Sequence, residues 1–140
     1  MQQRFLGRNF VIAMKSSNQI NLNQLVIYRK AIDVFKLSRH VVSYISYDKD
    51  VLELNASNKQ IDQYANNIVM DALGLAPKIA EAEFQQNPNT KLKYAKSIEL
   101  FIDRIYHNSK RLENTKAQGK DFIKLLRKEL IHLRELHMHY

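Results

Sequence analysis

Apolar residues recur at alternating intervals of four and three residues in four separate segments of the chain. In an α-helix such positions fall on one side, so each segment predicts a helix with a single apolar stripe that must be buried. The spacing is unbroken in the second segment, at Ile61, Ala65, Ile68, Ala72, Leu75, Ile79 and Ala82. Only three glycines and two prolines occur in the 140 residues, which leaves little material for the turns of a β-rich fold. The sequence therefore predicts an all-α protein.

The polar links between the stripes set the expected bounds of the helices. The first helix is expected at about 22–46, the second from 59, the third at about 91–114 and the fourth from 120 toward 140. The residues able to cap the first three starts are Asn21 or Asn23, Ser57 or Asn58, and Asn89 or Thr90. Pro77 lies within the second stripe and predicts a kink there rather than an end.

Short links between long helices favour antiparallel neighbours. Residues 21–140 are therefore expected to form one domain, an up-and-down antiparallel four-helix bundle with shallow crossing angles. Residues 1–20 lack helical periodicity and are expected to be an irregular leader.

Positive charge is concentrated in the last third of the chain. The net charge is +8 and the sequence pI is about 9.7. Residues 89–140 hold twelve Lys or Arg and six Asp or Glu. On the fourth helix, four cations at offsets of four, three and seven are expected to line the face opposite the leucines: Lys120, Lys124, Arg127 and Arg134. Such a stripe predicts contact with the phosphates of a nucleic acid, the alternative being an ordinary solvated face.

Several classes of protein are excluded by composition. The absence of cysteine excludes disulfides, thiolate nucleophiles and Cys-ligated metals, and agrees with a cytoplasmic location. The apolar run Phe10–Met14 is shorter than the ~7 residues of a signal-peptide core, and no run reaches the ~18 needed to span a bilayer. We therefore expect a cytoplasmic protein with no membrane partner.

The first helix carries apolar residues outside its main stripe, at Tyr28, Leu37 and Tyr44. They predict a surface for self-association, and the alternative is a wide stripe that faces the core of the same chain.

The run LVIYRKAIDVFKLSRHV at 25–41 resembles the opening helix of a bacterial family of four-helix bundles. These proteins are encoded in intervening sequences of large-subunit ribosomal RNA genes and are often labelled ribosomal proteins. The likeness rests on Val26, Tyr28 and Ala31, on Ile79-Ala80-Glu81-Ala82 after Pro77, and on the run YAKSIELFIDRIY, and it covers roughly residues 22–140. Pro77 lies one position closer to Ile79 than in the family pattern, and Ala82 replaces its usual glycine.

This resemblance implies a bundle that assembles into a symmetric homo-oligomer of the pentameric kind, and it implies no catalytic residues. By analogy, a related bundle, the accessory protein of diversity-generating retroelements, is a basic pentamer that binds nucleic acid.

Two catalytic spacings on the fourth helix offer an alternative function. Arg127 with His132, and Arg134 with His139, match the R-x-x-x-x-H motif of HEPN ribonucleases, in which the His acts on the 2′-hydroxyl. The residue after each Arg departs from the motif, because it is Lys128 or Glu135.

Glu129 and His132 have the i, i+3 spacing of di-iron bundles, but the chain holds no second Glu-x-x-His. We therefore expect no metal and no cofactor.

These observations predict a non-enzymatic, self-associating basic bundle that binds RNA, DNA or a nucleoprotein. A HEPN-like ribonuclease and a protein-interaction scaffold without a nucleic-acid role are the alternatives.

Overall fold

The computed structural model describes residues 25–45, 59–115 and 119–139. These residues form four α-helices: α1 (Val26–Ile45), α2 (Gln60–Glu83), α3 (Pro88–Glu113) and α4 (Lys120–Met138). Each helix packs on the next in sequence, and α1 also packs on α4, which closes a ring around one core. The prediction of an all-α four-helix bundle is confirmed. The leader predicted at 1–20 lies outside the described residues.

The predicted stripes form the core. Most of their members are buried, with Val34, Ile68, Ile102 and Leu130 each fully covered. The alanines of α2 let neighbouring helices approach closely, and Gly74 lies directly against the ring of Phe101 on α3. Burial of these apolar side chains supplies the main driving force for the fold.

Two helix starts differ from the prediction. The third helix begins at Pro88, ahead of the expected start, because Asn87 caps it by accepting hydrogen bonds from the backbone N–H groups of Asn89 and Thr90. Proline suits the first helical position, since its missing N–H would have no partner within the helix. Asn89 and Thr90 are therefore capped residues and not caps. The second helix starts after Lys59, which makes no side-chain cap; Ser57, Asn58, Asn21 and Asn23 lie outside the described residues.

Helix α2 continues through Pro77 to Glu83, so the proline does not end it, as the sequence predicted. Pro77 is exposed on the side of α2 that faces away from the bundle. A missing backbone hydrogen bond is tolerated there because water can satisfy the freed carbonyl.

Ion pairs tie neighbouring helices together. Arg104 of α3 binds both carboxylate oxygens of Asp71 on α2, at 2.5 and 3.2 Å. Lys30 of α1 lies 3.0 Å from Glu129 of α4. These contacts join residues far apart in sequence. They therefore help to fix how neighbouring helices are aligned, but they do not determine which segments are helical.

Candidate nucleic-acid interface

The two arginines of the predicted phosphate-binding stripe are engaged in ion pairs within the chain. Arg127 lies 2.5 Å from Glu113, and Arg134 lies 2.5 Å from Asp103, both acids being on α3. Arg134 also lies over the ring of Tyr106. In the structure both side chains turn toward the acids of α3, and contact of these arginines with phosphates stays a prediction.

Glu113 shows how much positive charge gathers at this boundary. The hydrogen bond from Arg127 lowers the pKa of the Glu113 carboxyl, and Lys124 and Lys120 lower it further by their charge. Its second oxygen, Oε2, is buried without a hydrogen-bond partner among the described residues. Glu113 is thus held ionised by three cations of α4, one of which it binds directly.

The lysines of α4 have a different environment from its arginines. Lys120, Lys124 and Lys128 are all exposed, and none forms an ion pair with the part of the chain that the structure describes. They follow each other at intervals of four residues, which places successive Cα atoms about 6 Å apart along the helix axis. Lys128 was not among the predicted contacts, although the i, i+4, i+8 repeat of lysine was visible in the sequence. The exposed cationic surface of α4 is this lysine row, Lys120, Lys124 and Lys128.

Two acids lie near the lysine row. Asp121 is exposed in the first turn of α4, where its charge is favourable at the positive end of the helix dipole. Glu113 of α3 is close enough for the charges of Lys120 and Lys124 to act on its carboxyl, but it is already bound by Arg127. The row therefore keeps an excess of positive charge.

The residues predicted for self-association are partly used inside the chain. Tyr28 and Leu37 pack against the core at half-buried positions. Tyr44 remains 55% exposed, but its ring lies 5.1 Å from that of Phe122 on α4. Tyr28 and Leu37 are nine residues apart, and nine residues correspond to two and a half helical turns, so they lie on opposite edges of α1. The three side chains therefore do not form one continuous patch.

The outward side of α2 carries an apolar surface that the sequence analysis did not single out. Met70, Leu73 and Phe84 are each 44–50% exposed, and Pro77 lies exposed between them. Their spacing of three, four and seven residues puts them on one side of the helix. It was missed because the inward stripe of α2 accounts for the helical periodicity by itself. We call Met70, Leu73, Pro77 and Phe84 the α2 outer face.

The two HEPN-like pairs are not brought together by the fold. Arg127 turns to Glu113 on α3, whereas His132 is exposed beside α1, where it lines a depression with Lys30 and Asp33. His139 is exposed at the end of α4, and Arg134 binds Asp103. No arginine and histidine of these pairs share a hydrogen bond or a pocket among the described residues.

Metal ligation finds no support in the described part of the chain, where no group of three His, Asp or Glu side chains is arranged to hold an ion. Glu129 of the Glu-x-x-His spacing is bound to Lys30 instead. Within the same residues, no helix is both long and apolar enough to cross a membrane.

Comparison with known proteins returned no match: no family model fits the chain, and no significant match was found among curated proteins or solved structures.

Proposed function

We propose that this protein is a non-enzymatic, self-associating bundle that binds the phosphate backbone of a nucleic acid through the lysine row. The observation that carries the proposal is the contrast within α4: its two arginines are bound to acids of α3, while Lys120, Lys124 and Lys128 are exposed and unpaired among the described residues. An exposed ammonium group without a partner keeps its full capacity to displace counterions from phosphates.

The geometry of the row suits a polyanion. Three lysines at steps of about 6 Å span about 12 Å of helix. A nucleic-acid strand in a duplex offers one phosphate per about 3.4 Å of axis, so several phosphates lie within reach of the row. The aromatic residue between Lys120 and Lys124, Phe122, packs against the core and against the ring of Tyr44, which favours backbone contact over base stacking. Binding is therefore expected to be insensitive to base sequence.

The experiment measures affinity for short duplex DNA, duplex RNA and single-stranded RNA of unrelated sequences across a range of salt. With three contacts, log affinity should fall with log salt at a slope of about −2.7 for duplex DNA and about −2.1 for a single strand. A slope of −2.7 corresponds to a loss of about 40-fold in duplex affinity between 50 and 200 mM salt.

The location of the charge is tested with two variants that each remove three positive charges. One replaces the lysine row with glutamine, and its matched control replaces three exposed cations of α1: Arg29, Lys36 and Arg39. The row variant should lose most of its affinity and its salt slope, and the α1 variant should keep both. Equal losses would show that only net charge matters, and a wild type that fails to bind at 50 mM salt would refute the nucleic-acid proposal.

Self-association is supported by the α2 outer face. Charged residues of α2 nearby make contacts within the chain: Asp71 binds Arg104, Lys78 lies over the ring of Phe101, and Glu81 accepts a hydrogen bond from Tyr94. The four side chains of the α2 outer face carry no charge, so this face offers apolar contact in a protein of net charge +8. A homo-oligomer, such as the pentamer that the family resemblance implies, would bury this surface.

A charge placed on the α2 outer face tests this surface. Leu73→Glu should dissociate the oligomer, as measured by sedimentation. Leu100→Glu is the control. Leu100 and Leu73 are exposed to a similar degree, 52% and 50%, but Leu100 lies on α3 and not on the α2 outer face. A wild type that sediments as a monomer at micromolar concentration would refute self-association.

The ribonuclease alternative has a direct test of its own. Purified protein is incubated with single-stranded RNA, and cleavage is compared between wild type and a His132→Ala, His139→Ala double variant. We expect no cleavage by wild type. Cleavage that disappears in the double variant would replace the binding proposal with the enzymatic one.

A further inference from the structure

A cavity opens at the end of the bundle where α1 and α3 begin and α2 and α4 end. Its volume is about 350 Å³, and all four helices contribute to its wall. The apolar part of the wall includes Ile27 of α1, Ile79 and Ala82 of α2, and Leu92 and Ile98 of α3. This cavity lies away from the lysine row and plays no part in the proposed nucleic-acid contact.

Two nitrogen-bearing side chains interrupt the apolar wall. Lys91 of α3 lines the cavity and is exposed, and His137 of α4 also lines it. The Nε2 atom of His137 lies 3.0 Å from the backbone carbonyl oxygen of Ala95. Because a carbonyl can only accept, Nε2 carries the proton and donates it. The other ring nitrogen, Nδ1, is buried and has no hydrogen-bond partner among the described residues. The fold therefore anchors the ring through one nitrogen and leaves the other available.

The charge at the cavity is positive. Lys91 is near Glu83, but burial raises the pKa of the Glu83 carboxyl by more than the charge of Lys91 lowers it. Glu83 itself does not line the cavity. The lining residues hold one cationic side chain and no carboxylate, so a negatively charged group is favoured there.

We propose that this cavity binds a small aliphatic carboxylate, with the hydrocarbon chain against the apolar wall and the carboxylate at Lys91. Size supports this class, because a volume of about 350 Å³ lies at the lower end of the range found for small-molecule pockets, about 300–1,000 Å³. The wall contains no phenylalanine, tyrosine or tryptophan to stack on an aromatic ring, which favours an aliphatic chain. A single cation matches a single carboxylate better than a phosphate, which carries more charge.

Octanoate is the probe, titrated into the full-length protein at constant ionic strength and followed by calorimetry or by amide chemical shifts. Acetate supplies the head group alone and octanol supplies the chain alone. We expect saturable one-site binding of octanoate, weaker binding of octanol and none of acetate. The absence of saturable octanoate binding at millimolar concentration would overturn the proposal.

The contribution of the head group is tested with Lys91→Gln. This variant should weaken octanoate binding by about three- to fivefold, the range expected for a partly exposed ion pair, and leave octanol binding unchanged. Lys93→Gln is the matched control, since Lys93 is exposed two residues away on α3 and does not line the cavity. Equal effects of the two variants would mean that octanoate responds only to net charge, which would refute a specific role for Lys91.

The location is tested by filling the cavity. Ala82→Leu should abolish binding of both octanoate and octanol, because the added methyl groups occupy the space of the chain. Since Ala82 is buried and its replacement can disturb folding, Ala95→Leu at a half-buried position of the same wall provides a second variant. Undiminished binding in a folded variant of either kind would place the octanoate site elsewhere and overturn the assignment.

Discussion

Replacing Arg127 with glutamine distinguishes the two kinds of cation on α4. Arg127 and Glu113 are each about 20% exposed, and the shortest distance between them is 2.5 Å. The substitution removes the ion pair and leaves Glu113 with a buried oxygen that already lacks a partner among the described residues. We therefore expect Arg127→Gln to lower the free energy of unfolding. Replacing an arginine that contacted only phosphates would leave the free energy of unfolding unchanged in the absence of ligand.

The size of the loss follows from three considerations. A hydrogen bond to a charged group contributes about 1.5–3 kcal/mol, and exposed ion pairs contribute only about 0.2–1 kcal/mol. The pair lies between these cases, and Lys120 and Lys124 continue to neutralise Glu113 when Arg127 is gone. We expect a loss of about 1–2 kcal/mol, which lowers the melting temperature by roughly 3–7 °C in a domain of this size.

The assay is thermal and urea unfolding of Arg127→Gln, Glu113→Gln and the double variant. Because the two side chains contact each other, the double variant should lose less than the sum of the single losses, with a coupling of about 1 kcal/mol. Lys128→Gln is the control at the adjacent, exposed and unpaired position, and its stability should change by less than about 0.5 kcal/mol.

The pH dependence has a definite sign. Arg127 lowers the pKa of Glu113 in the folded state, so the stability it contributes is fully present above the pKa of the unfolded chain. It is lost as the pH falls through the folded pKa of Glu113. The difference between wild type and Arg127→Gln should therefore be constant near neutral pH and disappear in acid. The reasoning would be refuted if Arg127→Gln were as stable as Lys128→Gln and bound nucleic acid more weakly than the wild type. Arg127 would then be a phosphate-contacting residue.

Two further predictions concern packing and burial. A Cβ atom at Gly74 would lie 2.6 Å from Cε2 of Phe101. Gly74→Ala should therefore destabilise the wild type by about 1 kcal/mol, because overpacking outweighs the gain in helix propensity. In a Phe101→Ala background, where the ring is absent, the same substitution should stabilise the protein by a similar amount. A stabilised Gly74→Ala single variant in thermal unfolding would contradict this contact. Burial raises the pKa of Glu83, so its ionised form opposes folding at neutral pH, and that penalty vanishes as the pH falls through the folded pKa. Glu83→Gln should therefore raise the melting temperature at pH 7 and have little effect near pH 4, and an equal effect at both would show that the carboxylate charge is not the cause.

The fold was determined largely by local pattern. Apolar residues spaced by four and three can be buried together only if the segment is helical. The stripes that include Ala82, Leu112 and Leu133 therefore identified both the helices and their buried sides. The start of α4 at Lys120 was also predictable from the glycine that precedes it. In the structure Gly119 adopts a positive φ of 78°, a conformation that favours glycine. Asn87 escaped notice because a proline normally signals a break, and its suitability for the first helical turn depends on the residue before it.

The state of each surface side chain was decided by tertiary structure. Sequence placed Arg127 and Lys124 on one polar stripe, but only the packing of α3 beside α4 brought Glu113 to the arginine and left the lysine exposed. Tyr28 looked like surplus apolar surface until the neighbouring helices were placed around α1. The cavity at Lys91 likewise exists only where four helix ends meet. Helical periodicity depends on residues three or four apart, whereas ion pairs, interfaces and cavities depend on groups that are distant in sequence. A single sequence carries no direct record of which distant groups become neighbours.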